Sequence, residues 1–357
     1  MLMQAQLPLV IAGEGGWSAS TATDMLAFCE RSELPVAASF RCKDYVDNSS
    51  ASYAGHLTIG MDPQLAQRVL DADLVLAVGG RLGEVTTRGY TLLEPPRTSQ
   101  TLVHVHPDAG ELGRVYEADL PIVSGLAEFA SAVRGLEPVE PAWRAWTESA
   151  RRDYEANLRH APRSGAVDLG EVMAFLRDRL PSDAVLTCGA GNFTVWAHRF
   201  YEFSEYGTQL APRSGVMGYG LPAALAARAL DPDRLVVCIA GDGDFMMSSA
   251  ELATAMQHGL PVVVLVVDNG LYGTIRMHQE RLYGRGFGTD LVNPDFTAYA
   301  RSFGCFAETL ERTEELADAF ERAVASGLPA VLTLRVDPDA ISPRATLSEL
   351  REEARHR

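Results

Sequence analysis

Unbroken apolar runs, many of them β-branched, recur along this chain and are separated by amphipathic stretches. LPLVIAG (7–13), LPVAASF (34–40), DLVLAVGG (73–80), TLVHVHPD (101–108) and LPIVSG (120–125) read as strands. Their apolar residues run on instead of alternating, the pattern of strands covered on both faces. TATDMLAFCERSE (21–33), DPQLAQRVLDA (62–72) and LAEFASAVRGL (126–136) lie between or after them with helical spacing. The pattern breaks at 137–166, which is Pro-rich at its start and then charged, and reads as a linker that becomes a surface helix. It then resumes: strands at 184–190, 234–240, 261–267 and 330–337, helices at 168–180, 220–230, 249–259 and 293–304. Strand–helix alternation of this kind predicts α/β architecture with two doubly wound domains and mainly parallel sheets. The expected boundaries are 1–136 for the first domain, 137–166 for the linker, 167–340 for the second domain and 341–357 for a C-terminal tail.

Composition narrows the function classes. A formal charge of −16 argues against nucleic acid or an anionic membrane as partner. No apolar run is long enough for a membrane span. The five cysteines are scattered without a CxxC pair, which fits buried thiols in a reducing cytoplasm and speaks against a zinc site. His104 and His106 share one face of a strand but have no metal-ligand spacing; one of them reads as a satisfied residue at a sheet edge.

Chemistry concentrates in AGDGDFMMSSAELATAMQHGLPVVVLVVDNGLYG (240–273). One buried strand ends at Gly241-Asp242-Gly243, and the next ends at Asp268-Asn269-Gly270. Ser248 and Glu251 have the spacing of a capping box that opens the intervening helix. A lone Gly-Asp-Gly is an ordinary turn. Paired with Asn269 across strand–helix–strand, it places a carboxylate and an amide oxygen past the C-terminal ends of neighbouring strands, where open α/β sheets bind ligands. Oxygen donors suit Mg²⁺, which keeps few protein ligands and shares itself with phosphates, and the helix start at Ser248 offers free N–H groups.

This stretch resembles the thiamine diphosphate (ThDP) motif of acetolactate synthase-like enzymes. The resemblance implies Mg²⁺ held by the side chains of Asp242 and Asn269 and the carbonyl of Leu271, with Gly241, Gly243, Asp244, Tyr272 and Gly273 along the diphosphate. RSGVMGYGLPAALAARAL (213–230) is similar to the family's preceding segment. There Met217 matches the apolar wedge that bends the cofactor, and Gly215 matches the carbonyl that accepts from its 4′-amino group; these two are the catalytic-site candidates. CGAGNFTVW (188–196) resembles the diphosphate-side loop, with Gly191 and Asn192 lining the site. Asp268 replaces the family's first Asn, Asp244 a small polar residue, and Asn192-Phe193 the common Gln-His. Residues 7–135 look like the central dinucleotide-type domain. GGRLGEVTTRGYTLL (79–93) lacks the acidic–basic pattern of FAD-binding members, so FAD stays only as an alternative.

The family's pyrimidine-binding domain, with its catalytic Glu, has no counterpart among these residues. The expectation is the larger half of a split 2-oxo acid decarboxylase or carboligase, a hetero-oligomer with a dimeric core whose separate pyrimidine-binding chain supplies the Glu; a fragment or degenerate copy is the alternative. Ile275 stands where simple pyruvate decarboxylases carry a protonating Glu, which suits carboligation. RMHQERLYGRGFG (276–288) reads as a loop near the site, with Gln279 as a substrate contact. The C-terminal 342–357 reads as a charged helix over the site or a solvated tail. The rival readings are a non-catalytic or regulatory nucleotide-binding protein and a dinucleotide-dependent oxidoreductase; the second lacks a full G-x-G-x-x-G.

Overall fold

The computed structural model describes residues 1–137, 141–162 and 165–356, so positions 138–140, 163 and 164 of the expected linker lie outside the described residues. The chain divides into two compact units, Met1–Arg159 with Glu202–Gln209, and His160–Tyr201 with Leu210–Arg357. Two six-stranded sheets organise it, with helices between successive strands.

In the first unit the elements run β1 (Pro8–Ala12), α1 (Ala19–Arg31), β2 (Val36–Ala38), β3 (Tyr53–His56), α2 (Pro63–Asp71), β4 (Leu74–Val78), β5 (Thr101–His106), β6 (Leu120–Val123), α3 (Leu126–Arg134) and α4 (Arg144–Asn157). The strands pair in parallel in the order β3-β2-β1-β4-β5-β6. That order is the dinucleotide-domain arrangement, with its switch between β1 and β4. Every residue of β1 and β4 is buried, as the continuous apolar runs require. Beside the switch, the Trp17 indole donates to the Gly13 carbonyl at 3.1 Å, and Arg81 pairs with Glu14 at 2.8 Å.

Three expectations change here. β3, with the sequence YAGH, escaped notice because four residues with a central glycine carry neither a run nor an alternation. α4 is more than a surface helix: Ala150 and Tyr154 and the preceding Trp143 are buried, and the Trp143 indole donates to the Ser32 carbonyl at 3.1 Å. His104 and His106 are both buried on β5, an interior strand and not an edge. Burial pushes the His104 ring below its ordinary pKa, and its Nε2 lies 2.7 Å from the Gly80 carbonyl.

The turn at Lys43–Tyr45 buries an acid in this unit. Asp44 Oδ2 accepts from the Gly207 and Gln209 amides at 2.8 and 3.2 Å, while its Oδ1 has no hydrogen-bond partner among the described residues. Removal from water outweighs these bonds and raises its pKa to about 6. A carboxyl raised in the folded state contributes its stability fully below its unfolded value of 3.8 and loses it as pH rises through about 6. The loss corresponds to about 3 kcal/mol. Urea denaturation across this pH window is expected to show that decline, and Asp44→Asn, which keeps an acceptor without the charge, to flatten it.

The second unit runs α5 (Leu169–Arg179), β7 (Val185–Cys188), α6 (Thr194–Phe200), β8 (Gln209–Leu210), α7 (Gly220–Leu230), β9 (Val236–Gly241), α8 (Asp242–Met246), α9 (Leu252–Gln257), β10 (Val263–Asp268), α10 (Gly273–Tyr283), α11 (Phe296–Ser302), β11 (Phe306–Leu310), α12 (Leu316–Ala325), β12 (Ala330–Arg335) and α13 (Leu347–Arg355). The sheet order is β11-β12-β10-β9-β7-β8, with parallel pairing from β11 through β7. β9 and β10 lie at its centre and are buried along their whole length. Phe245 and Phe296 meet edge-to-face at 5.7 Å in the core above them.

Two local expectations fail in this unit. No capping box forms at Ser248: the Glu251 carboxylate accepts from Thr254 Oγ1 at 2.6 Å, and the helical chain begins at Asp242, directly off β9. Residues 276–283 continue α10 instead of forming a loop, and Gly284, in the left-handed region at φ 64°, ends it. The C-terminal segment takes the docked alternative. Thr346 and Glu349 form a capping box at the start of α13. Arg351 then grips the buried Glu280 of α10 with two bonds of 3.0 and 2.9 Å.

Candidate cofactor and metal site

The site lies at the C-terminal edge of three adjacent strands, β7, β9 and β10. Strand register decides who meets whom. Val267 of β10 pairs with Gly241 of β9, so Asp242 and Asp268-Asn269 leave the sheet side by side. The loop after β7 supplies Gly191 and Asn192, and the loop before α7 supplies Met217. Together with Gly241, Asp242, Gly243 and Asp244, and with Asn269, Leu271, Tyr272, Gly273 and Ile275, these residues line a single pocket. Gly215 and Gln279 do not line it. Gly215 sits in an exposed turn, its amide donating to the Pro212 carbonyl at 2.9 Å. The Gln279 amide brackets the backbone of Phe287, donating at 3.0 Å and accepting at 2.8 Å.

Asp242 is buried and carries only neutral donors. Its Oδ1 accepts from the Gly243 amide at 2.9 Å, and its Oδ2 from the Gly270 amide at 2.8 Å and the Asn293 side chain at 2.7 Å. Burial pushes its pKa up, against the pull of the Asn293 and Gly243 bonds. Asn269 Oδ1 accepts from the Leu271 amide at 3.1 Å, a local turn that fixes the loop. A carboxylate, an amide oxygen and a carbonyl are hard donors of the kind divalent Mg²⁺ takes. Among the described residues no cluster of three His, Cys, Asp or Glu offers a softer alternative.

A helix start does open on the pocket, though not at Ser248. Gly273, Thr274 and Ile275 open α10 on the pocket, and Arg276 is the first whose amide bonds back, to Tyr272 at 2.9 Å. The first amides of a helix lack intrahelical partners and favour anions. Gly243 gives this wall its close approach: a Cβ there would stand 2.7 Å from Tyr272 Cε1.

The departures from the family motif have local reasons. Asp244, only 2% exposed, accepts from the Gly218 amide at 2.7 Å and the Ala190 amide at 3.3 Å, so its carboxylate ties together two loops of the pocket. Phe193 packs where a Cβ on Gly241 would come within 2.8 Å of its ring. Asn192 is engaged at both ends of its amide: it accepts from Thr274 Oγ1 at 2.9 Å and donates to the Ile341 carbonyl and to Met277 Sδ, each at 3.2 Å. Asp268 is ion-paired with Arg335, its cross-strand neighbour on β12. Thr274 and Asn293 escaped the sequence reading. Thr274 follows directly on a motif glycine and was within reach of it. Asn293 lies 51 residues from the carboxylate it touches, and no spacing rule reaches that far.

Residues 1–133 match the model of the thiamine pyrophosphate enzyme central domain, and residues 189–334 that of the thiamine pyrophosphate enzyme C-terminal TPP binding domain. The chain belongs to the thiamine diphosphate-dependent enzyme family. Within the ThDP family it is acetolactate synthase-like. It is 32% identical over 345 residues to the acetolactate synthase large subunit of Parasynechococcus marenigrum (strain WH8102), covering 94% of this chain and 55% of that protein. It is 26% identical over 361 residues to the acetolactate synthase isozyme 2 large subunit of Escherichia coli (strain K12), covering 99% and 65%. The probable acetolactate synthase large subunit of Methanocaldococcus jannaschii is 26% identical, over 96% of this chain and 60% of the relative. The chain thus spans between about half and two thirds of the length of these ThDP-family relatives.

Gly243→Ala is expected to force Tyr272 off its present position, because 2.7 Å to a ring carbon is closer than carbon atoms pack. The cost should be about 1–3 kcal/mol, read by urea denaturation, with a change in Tyr272 packing seen in near-ultraviolet circular dichroism.

Proposed function

We propose that this chain is the cofactor-holding part of a ThDP- and Mg²⁺-dependent carboligase acting on pyruvate or a related 2-oxo acid. The observation that carries the reading is the convergence of Asp242, Asn269 and the Leu271 loop with the start of α10 on one pocket. Asp242 and Asn269 offer side-chain oxygens, and Leu271 its carbonyl, to the cation. The free amides at Gly273, Thr274 and Ile275 would hold the diphosphate, and Met217 would support the cofactor from the loop before α7. When bound, ThDP supplies the electron sink for decarboxylating a 2-oxo acid and passing the remaining fragment on. The chain's own work is to bind, orient and exclude water. Ile275, half exposed at the pocket rim, brings no proton donor there, which favours transfer to a second carbonyl compound over protonation.

The pocket lining carries two aspartates and no glutamate. In this reading the glutamate that activates the cofactor comes from a pyrimidine-binding unit in trans, in a hetero-oligomer of the cytoplasm.

Isothermal titration of the purified 357-residue chain with ThDP tests this. Binding is expected in the presence of Mg²⁺, is abolished by EDTA, and falls at least about a hundredfold in Asp242→Ala, since a charged ligand to the cation is lost. Pyruvate consumption is expected only after adding the pyrimidine-binding chain that co-purifies with it. Turnover by this chain alone overturns the glutamate in trans, and absence of Mg²⁺-dependent ThDP binding overturns the whole reading.

A further inference from the structure

The end of the β9–β10 pair gathers more charge than one cation site needs. Asp242 and Asp268 leave adjacent strands within reach of a single side-chain amide. Asn293 Nδ2 donates one hydrogen to Asp242 Oδ2 at 2.7 Å and the other to Asp268 Oδ1 at 2.8 Å. The other oxygen of Asp268 is taken by Arg335, its register partner on β12. The two carboxylates therefore differ in what is left to them. Asp268 has a cation. Asp242 has three neutral donors and no ion pair among the described residues, so its charge stays available.

The position of Asn293 is fixed from both sides. Before it, residues 289–291 run along the motif loop: the Tyr272 amide donates to Thr289 O at 2.9 Å, the Leu291 amide to Gly270 O at 2.8 Å, and Leu271 bridges Asp290. After it, Asp295 caps α11, accepting from the Ala298 amide at 3.0 Å. An amide held in this way needs little ordering when it orients a partner.

We propose that Asn293 is a positioning residue for the cation-binding carboxylate. It aims Asp242 and separates it from Asp268, while Arg335 confines the charge of Asp268 to the far side of the bridge. The inference rests on the cofactor reading above. It assigns the Asp-for-Asn departure at 268 a consequence: a second carboxylate beside the metal ligand is accommodated by one amide and one arginine. Residues that orient a metal ligand through a hydrogen bond cost about ten- to a hundredfold in metal affinity when removed.

The test uses the full chain, with ThDP titrated at a series of Mg²⁺ concentrations, and melting temperatures measured without cofactor. Asn293→Leu removes both donors at similar volume; Asn293→Ala removes them without adding charge, and serves if the leucine variant fails to fold. Each is expected to raise the Mg²⁺ concentration needed for half-maximal ThDP binding about ten- to a hundredfold, beyond any change in the cofactor-free melting temperature. In an Asp268→Ala background the same substitution is expected to cost several-fold less, because the carboxylates no longer need separating. An unchanged Mg²⁺ requirement overturns the proposal, as does a fall in melting temperature alone, or strict additivity with Asp268→Ala. If the unsubstituted chain binds no ThDP at any Mg²⁺ concentration, the cofactor reading itself fails and takes this proposal with it.

Discussion

The parallel pairing of β9 with β10 is the constraint on which the site depends. Register sets Val267 opposite Gly241, and everything chemical follows from the next residue on each strand. A slip by one position would turn every side chain of a strand to the opposite face of the sheet. Both strands are buried on both faces, so the slip is opposed by apolar packing along their whole length. The same sheet extends the constraint to β12, where Arg335 falls opposite Asp268. Three neighbouring strands thus deliver a carboxylate, an amide and a guanidinium to one edge without any long-range search by loops.

The fold was largely legible because its signal is local. Continuous apolar runs gave the central strands of both sheets, and the intervals between them gave most of the helices. What remained hidden lacked that signal. β3 is four residues around a glycine. α4 carries its buried Trp143, Ala150 and Tyr154 in a stretch otherwise so charged that it reads as solvent-facing. Ser248 and Glu251 matched a capping box by spacing, but spacing does not say which partner a carboxylate will choose, and Thr254 was nearer.

The site divides in the same way. Asp242, Gly243, Asn269 and Gly273 belong to a compact motif and were readable at once. The supporting residues come from afar. Asn293 reaches Asp242 across 51 positions, and Ile341 reaches Asn192 across 149. No periodicity links such pairs, because tertiary folding alone makes them neighbours. The motif positions that depart from the family pattern are where these distant partners act: Asp244 on the Gly218 amide, Asp268 on Arg335, Asn192 on Ile341. An odd residue in a motif was therefore the visible half of a contact whose other half the sequence did not mark.

The commitment of Asn192 has a thermodynamic corollary. Its amide accepts from Thr274 and donates to the carbonyl of Ile341 and to Met277 Sδ, and Ile341 also packs with Leu347 and Leu350 of the final helix. A ligand that draws on the Asn192 amide does so in competition with that segment. Occupancy and docking are then reciprocally linked: whatever factor separates ligand affinities in the docked and undocked states must equally separate the docking equilibria of the empty and filled pocket. The grip of Arg351, in the middle of that helix, on Glu280 becomes a dial on how much of the intrinsic affinity is expressed.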